Sequence, residues 1–193
     1  CCRSKGPNGL DFCQLQKGDV LLLHGGLLNP LFIAENLLFN GYWTHAGIYV
    51  GNGYITDANG DFNLFSDPGC VITKAECFSE EPGVQTRLSE MTHFWNAPDW
   101  AILRVRTTEA TQSTAADAAK AIPTGTPYNW IYPNKWREDK FYCSQLVWRA
   151  YQNQGIDLDS NLSALGSLKL WRGPWGVLTG VALSATWKLT EPL

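Results

Sequence analysis

No stretch of this 193-residue chain approaches the roughly 18 consecutive apolar residues that a membrane-crossing helix needs, so a soluble domain is expected. Like charges never gather into a block, and the net charge is only −3. A basic stripe able to displace counterions from phosphates is therefore missing, and no nucleic-acid partner is expected. No close pair of CxxC or HxxxH motifs occurs, which argues against a structural zinc site; no metal and no cofactor are expected. Internal repeats, low-complexity tracts and linkers are also absent, and the length suits one domain spanning 1–193. What is abundant is apolar. At 45% hydrophobic residues the chain can bury a real core, and its nine tryptophans must be housed somewhere. Trp43, Trp130, Trp136, Trp148, Trp171 and Trp175 lie near the motif segments; core packing is the expected use, groove lining the alternative.

Six cysteines raise the question of compartment. If Cys143 is a reactive free thiol, five remain. Cys70 and Cys77 can close a small loop, and Cys1 or Cys2 can pair with Cys13. The sequence begins at Cys1 rather than Met, and a removed leader is the expectation. Cys1 as the lipid-carrying first residue of a mature bacterial lipoprotein would leave an even count. Such bridges imply an exported, oxidising location (periplasmic, secreted or membrane-anchored); six reduced thiols in a cytosol are the alternative. Nothing in the sequence calls for an oligomer, and a monomer is expected.

Periodicity and punctuation give the elements. Residues 18–23 (GDVLLL) read as a strand after a Gly-Asp turn. Asn29–Leu38 reads as a helix capped by Asn29 with Pro30 first. Thr44–Val50 and Gly53–Ala58 read as strands around Gly51-Asn52-Gly53, and Ala101–Arg106 as another. Ser113–Ile122 is an Ala-rich helix capped by Ser113, and Tyr142–Gln154 a helix stopped by Gly155. The tail from Gly173 to Leu189 reads as turn plus strand. Strands and helices without regular alternation indicate an α+β fold.

Cys143 falls in the first turn of its helix, where unpaired N–H groups favour an anion and can bind an oxyanion. Among three histidines, His24 precedes Gly25-Gly26 and His93 lies in an aromatic segment. His45 opens a strand beside the small residues Ala46 and Gly47, which let another group come close. A base needs an orienting partner, and the hairpin supplies a candidate in Asp57. A two-residue turn at Gly51-Asn52 would place Ala46 opposite Asp57, with Asp57 on the wrong face. A three-residue turn with Gly53 left-handed places Gly47 opposite Asp57 instead. His45 then has Asp57 as a diagonal neighbour on the same face. Gly53 suits the left-handed position, so the second register is favoured.

These residues carry a resemblance. Thr44-His45-Ala46-Gly47-Ile48-Tyr49-Val50-Gly51, Tyr54-Ile55-Thr56-Asp57-Ala58 and Phe141-Tyr142-Cys143-Ser144-Gln145-Leu146-Val147-Trp148 together resemble the circularly permuted NlpC/P60-like papain-fold cysteine hydrolases, closest to the YiiX-like branch. Gly18-Asp19-Val20, Gly83-Val84 with Leu88, Leu103-Arg104 and Gly125-Thr126-Pro127-Tyr128-Asn129 follow in the same order. The match covers about 17–160 as the core, with 161–193 as a C-terminal extension. The resemblance implies an antiparallel sheet packed on the nucleophile's helix, with Cys143 as nucleophile, His45 as base and Asp57 as third member. It also implies Tyr128 near the site, and Tyr142 and Ser144 beside the thiol are candidate substrate contacts. Two departures stand out: Asp57 replaces the usual Glu and is a methylene shorter, and Gln145 replaces a frequent Glu, removing a charge but no expected chemistry.

A cysteine–histidine pair performs acyl transfer through a thioester. The expected activity is that of an amidase or peptidase, on peptidoglycan peptides if the chain is exported. The alternatives are a lipid or acyl-amide hydrolase or acyltransferase on the same fold, with 27–39 as an apolar lid, and an inactive binding module. The acyltransferase reading lacks the Asn-Cys-Glu-His-Phe signature that such relatives usually show.

Overall fold

The unbroken apolar run of residues 20–23 is explained by a sheet buried on both faces. The structure is a computed structural model that describes residues 5–24, 43, 45–60, 82–129, 134–158 and the backbone of 189–190. Its strands are β1 (Val20–His24), β2 (His45–Gly51), β3 (Tyr54–Asn59), β4 (Gly83–Leu88), β5 (Asp99–Val105) and β6 (Leu189–Thr190). They form one antiparallel sheet in the order β4-β3-β2-β1-β5-β6. Among the described residues there are two α-helices, α1 (Glu109–Lys120) and α2 (Cys143–Gln152), packed on each other and on β2. The α+β class and the antiparallel sheet against the nucleophile's helix are as expected.

Side chains of a strand alternate between faces, and here each face has its own core. Val20, Leu22, Ala46, Ile48, Ala58 and Val84 meet the helices through Ala115, Ala116, Ala119, Leu146, Val147 and Trp148. Leu21, Leu23, Tyr49, Ile55 and Ile102 meet Leu10, Phe12 and Phe94 on the other side. An apolar run without polar interruption is what a doubly covered strand requires, since each fully buried large side chain contributes roughly 1.5–3 kcal/mol. Small residues on α1 let helix and sheet approach closely.

Beside β1, Asp19 is fully buried and accepts two bonds from Arg104 of β5, at 2.8 and 2.7 Å, and one from the Gln16 N–H at 2.8 Å. This fork ties the two strands together 85 residues apart in sequence.

Several sequence expectations need correction. The Ala-rich helix starts at Glu109, four residues early, because Thr108 rather than Ser113 caps it by accepting from the Thr111 N–H. A strand read at 101–106 runs Asp99–Val105, and β4 was not expected as a strand. The helix at 29–38, the lid at 27–39, the Cys70–Cys77 loop and most of the 173–189 tail lie outside the described residues, as do Cys1 and Cys2.

Candidate active site

The hairpin joining β2 to β3 sets the geometry. Tyr49 pairs with Ile55, Ile48 with Thr56 and Gly47 with Asp57, which is the favoured register. The device is different from the one expected. Gly51 pairs with Tyr54, so the tip is Asn52-Gly53, with φ of 56° and 83°, and an irregularity between Tyr49 and Gly51 absorbs Val50 as the extra residue. The Tyr49 hydroxyl accepts from the Gly53 N–H at 3.0 Å and braces the tip.

With that register His45 Nε2 lies 2.9 Å from Asp57 Oδ2. Asp, though a methylene shorter than Glu, makes the reach. A carboxylate only accepts, so Nε2 donates and Nδ1 is left for another partner. Cys143 lies close enough to His45 for its side chain to raise the proton affinity of the imidazole. The structure thus brings Cys143, His45 and Asp57 into one chain of contacts. The thiol belongs to the helix-side core, whereas the imidazole leans on Phe94 of the opposite core, ring centroids 5.4 Å apart.

Electrostatics favour a charged pair. Burial alone would lower the His45 pKa, but the hydrogen bond to Asp57, then the bond and charge of Cys143, outweigh it and raise it to about 10. Asp57 is fully buried, which would push its carboxyl up; the His45 hydrogen bond and the charges of His45, Arg87 and His93 hold it below the usual range. Arg87 on β4 reaches Asp57 Oδ1 at 3.3 Å and Oδ2 at 3.5 Å, and Asn59 donates to Oδ1 at 3.4 Å.

Gly47 is glycine for steric reasons: a Cβ there would sit 2.9 Å from the Phe94 ring and 3.0 Å from Ile55 Cγ2. The small residue beside His45 therefore admits Phe94, which forms the surface behind the imidazole.

At the start of α2, the Tyr142 N–H donates to Gln145 Oε1 at 3.2 Å. The N–H groups of Cys143 and Ser144 lie in the first turn of the helix, where the α-helical ladder offers them no acceptor. Cys143 itself is 3% exposed. Tyr142 is buried in the helix-side core, Ser144 is buried as well, and Tyr128 is half-buried against that core. Residues 127–129 run beside Phe141, with the Asn129 N–H donating to Phe141 O and the Phe141 N–H to Pro127 O, both at 3.1 Å.

Of the other histidines, His24 ends β1 opposite Asp99. His93 is exposed, with its ring edge-on to His45 at 6.0 Å. Sequence reasoning missed Arg87 and Phe94, which come from segments 30 and 37 residues beyond Asp57, and it undervalued Gln145. The alternation of Val84, Thr86 and Leu88 with Gln85 and Arg87 was the one signal available for β4. Among the described residues no group of three His, Cys, Asp or Glu side chains is placed to hold a metal ion.

Residues 14–172 match the family described as permuted papain-like amidase enzyme, YaeF/YiiX, C92 family. No curated protein matches the chain, and no solved structure does.

Proposed function

The chain belongs to this permuted papain-like amidase family, and on that premise we propose that Cys143, His45 and Asp57 are its catalytic triad and that peptide amides, those of peptidoglycan among them, are its substrates. The observation that carries the reading is the continuous contact from the thiol through the imidazole to a buried carboxylate, with Nε2 committed to Asp57. Asp57 fixes the ring's tautomer and orientation, so that Nδ1 is the atom that exchanges a proton with sulfur and substrate.

In the proposed reaction the Cys143 sulfur attacks the amide carbonyl as a thiolate, with the proton held on His45. The carbonyl oxygen becomes an oxyanion facing the N–H groups of the α2 first turn, which supply fixed positive dipoles. His45 then gives its proton to the leaving amine nitrogen as the C–N bond breaks, leaving a thioester on Cys143. Water adds to the thioester while His45 takes up its proton. Collapse releases the carboxylic acid and returns the pair to its starting state. A peptidoglycan substrate fits an exported chain, a reading supported by the cysteine count.

The test is hydrolysis of purified muropeptides by the parent chain and by Cys143→Ala, followed by mass spectrometry. Turnover is expected to fall at least about 10³-fold in the variant, by the scale of losses on removing a nucleophile. Full turnover by Cys143→Ala would overturn the triad. Cleavage of acylated amino acids in place of muropeptides would overturn the peptidoglycan assignment alone.

A further inference from the structure

We infer that Gln145 is a positioning residue for Cys143, and that its neutral amide is what the site requires. The inference rests on Cys143 being the nucleophile. Gln145 is fully buried, and its amide uses every hydrogen-bonding valence it has. Oε1 accepts from the Tyr142 N–H at 3.2 Å and from Asn129 Nδ2 at 2.9 Å. Nε2 donates to the carbonyls of Lys135 at 3.1 Å and Arg137 at 2.9 Å. Asn129, also fully buried, gives a further bond to the Asn134 carbonyl at 3.1 Å.

One side chain thus holds three pieces in register: the backbone approaching the helix at 134–137, the strand-like segment at Asn129, and the residue immediately before the thiol. Because Gln145 takes the Tyr142 N–H, the residue just before the thiol is held at a fixed angle to the helix. A displacement of roughly 1 Å at such a nucleophile costs on the order of 10²-fold in rate. No cavity or surface patch is needed for this role; it acts through the backbone of Tyr142 and Cys143.

The chemistry distinguishes amide from carboxylate. A glutamate has the same length, and one of its oxygens could accept from Tyr142 and Asn129. Its other oxygen would face two carbonyl oxygens, those of Lys135 and Arg137, with no proton to offer. Only a protonated acid restores a donor there. The charged groups around this point are Lys135, Arg137, Glu138, Asp139 and Lys140 on the approach segment, Arg149 on α2, and His45 and Asp57 on the sheet. Several are already engaged: Lys135 lies 4.5 Å over the Trp148 ring, Arg137 pairs with Asp139, and Arg149 pairs with Glu138. Gln145's own bonds go to backbone and Asn129 alone.

The test compares Gln145→Glu, Gln145→Met and the parent in the full chain. Alkylation of Cys143 by iodoacetamide is followed by peptide mass from about pH 5 to about pH 8, with circular dichroism recorded on each sample. For Gln145→Glu the rate relative to parent is expected near one at about pH 5 and below about one-tenth at about pH 8. For Gln145→Met it is expected below about one-tenth throughout, with no pH dependence in the ratio. A flat ratio for a folded Gln145→Glu, or a parent-like rate for a folded Gln145→Met, overturns the inference. So does loss of the folded signal in both variants at every pH, which would assign Gln145 to stability alone. Alkylation requires no substrate, so this outcome is separate from the turnover of Cys143→Ala that decides the triad.

Discussion

Asp19 and Asp57 are both fully buried beside the same sheet, and each faces an arginine. Asp19 takes a two-pronged guanidinium at 2.8 and 2.7 Å and a backbone N–H at 2.8 Å. Around Asp57 the arginine and the asparagine stand off at 3.3–3.5 Å, and the one short bond, at 2.9 Å, belongs to a histidine. Burial and charge are alike, so neither separates a structural carboxylate from a working one. The difference lies in the partner. A guanidinium never gives up its proton near neutral pH, and a bond to it can only hold; an imidazole exchanges its proton, and the same bond steers chemistry.

One substitution made at both positions should sharpen that contrast. Asp19→Asn removes half of a buried, doubly bonded pair and is expected to destabilise the fold by about 3–5 kcal/mol. Thermal melting should fall by roughly 6–20 °C, while kcat per folded molecule stays within about twofold. Smaller in free energy, Asp57→Asn is expected to reduce kcat about 10- to 100-fold with a milder loss of melting temperature. Its pH dependence carries a sign. The carboxylate favours the charged imidazole, so its removal lowers the His45 pKa from about 10, and the alkaline limb of the rate profile moves down in pH. Because His45 is raised above its ordinary 6.5, its contribution to stability is complete below about 6.5 and is lost as pH rises towards about 10. Melting of the parent should decline over that window, and Asp57→Asn should flatten the decline. Equal losses of activity from the two variants would break the comparison.

The smallest change expected is also the one that joins the two kinds of effect. Gly47→Ala forces a methyl into the Phe94 ring and should destabilise by about 1–2 kcal/mol. The same ring supports His45, so kcat should fall by a fewfold as well. A stable Gly47→Ala enzyme with parental kcat would show that Phe94 has room to retreat.

Much of the site was legible in the sequence because it depends on short-range rules. The first turn of a helix marked Cys143, and small residues flanked His45. The register that puts Gly47 opposite Asp57 was reached through a three-residue turn, where the chain uses a two-residue tip and an extra residue at Val50. Long-range partners were not legible. Nothing local to Gly18-Asp19-Val20 announces Arg104, and β4 escaped notice because its polar positions, the buried Gln85 and the half-buried Arg87, lie beside Asp57's strand rather than turned to water. Thr108 and Ser113 both satisfy the rules for a cap, and the alanine run drew the boundary to the wrong one. Gln145 was read as a lost charge, since a side chain's full set of partners exists only once 129, 135, 137 and 142 have been folded together.

The extra residue at Val50 has a consequence for anyone exchanging the hairpin tip. Side chains repeat every two residues along a strand, so Val50 acts as a phase marker between the two arms. A graft one residue shorter or longer would carry the carboxylate to the helix-facing side of the sheet, out of the imidazole's reach. A change of two would keep its side yet slide it along the ladder. Only tips that conserve both parity and offset preserve the dyad, however well they suit the turn.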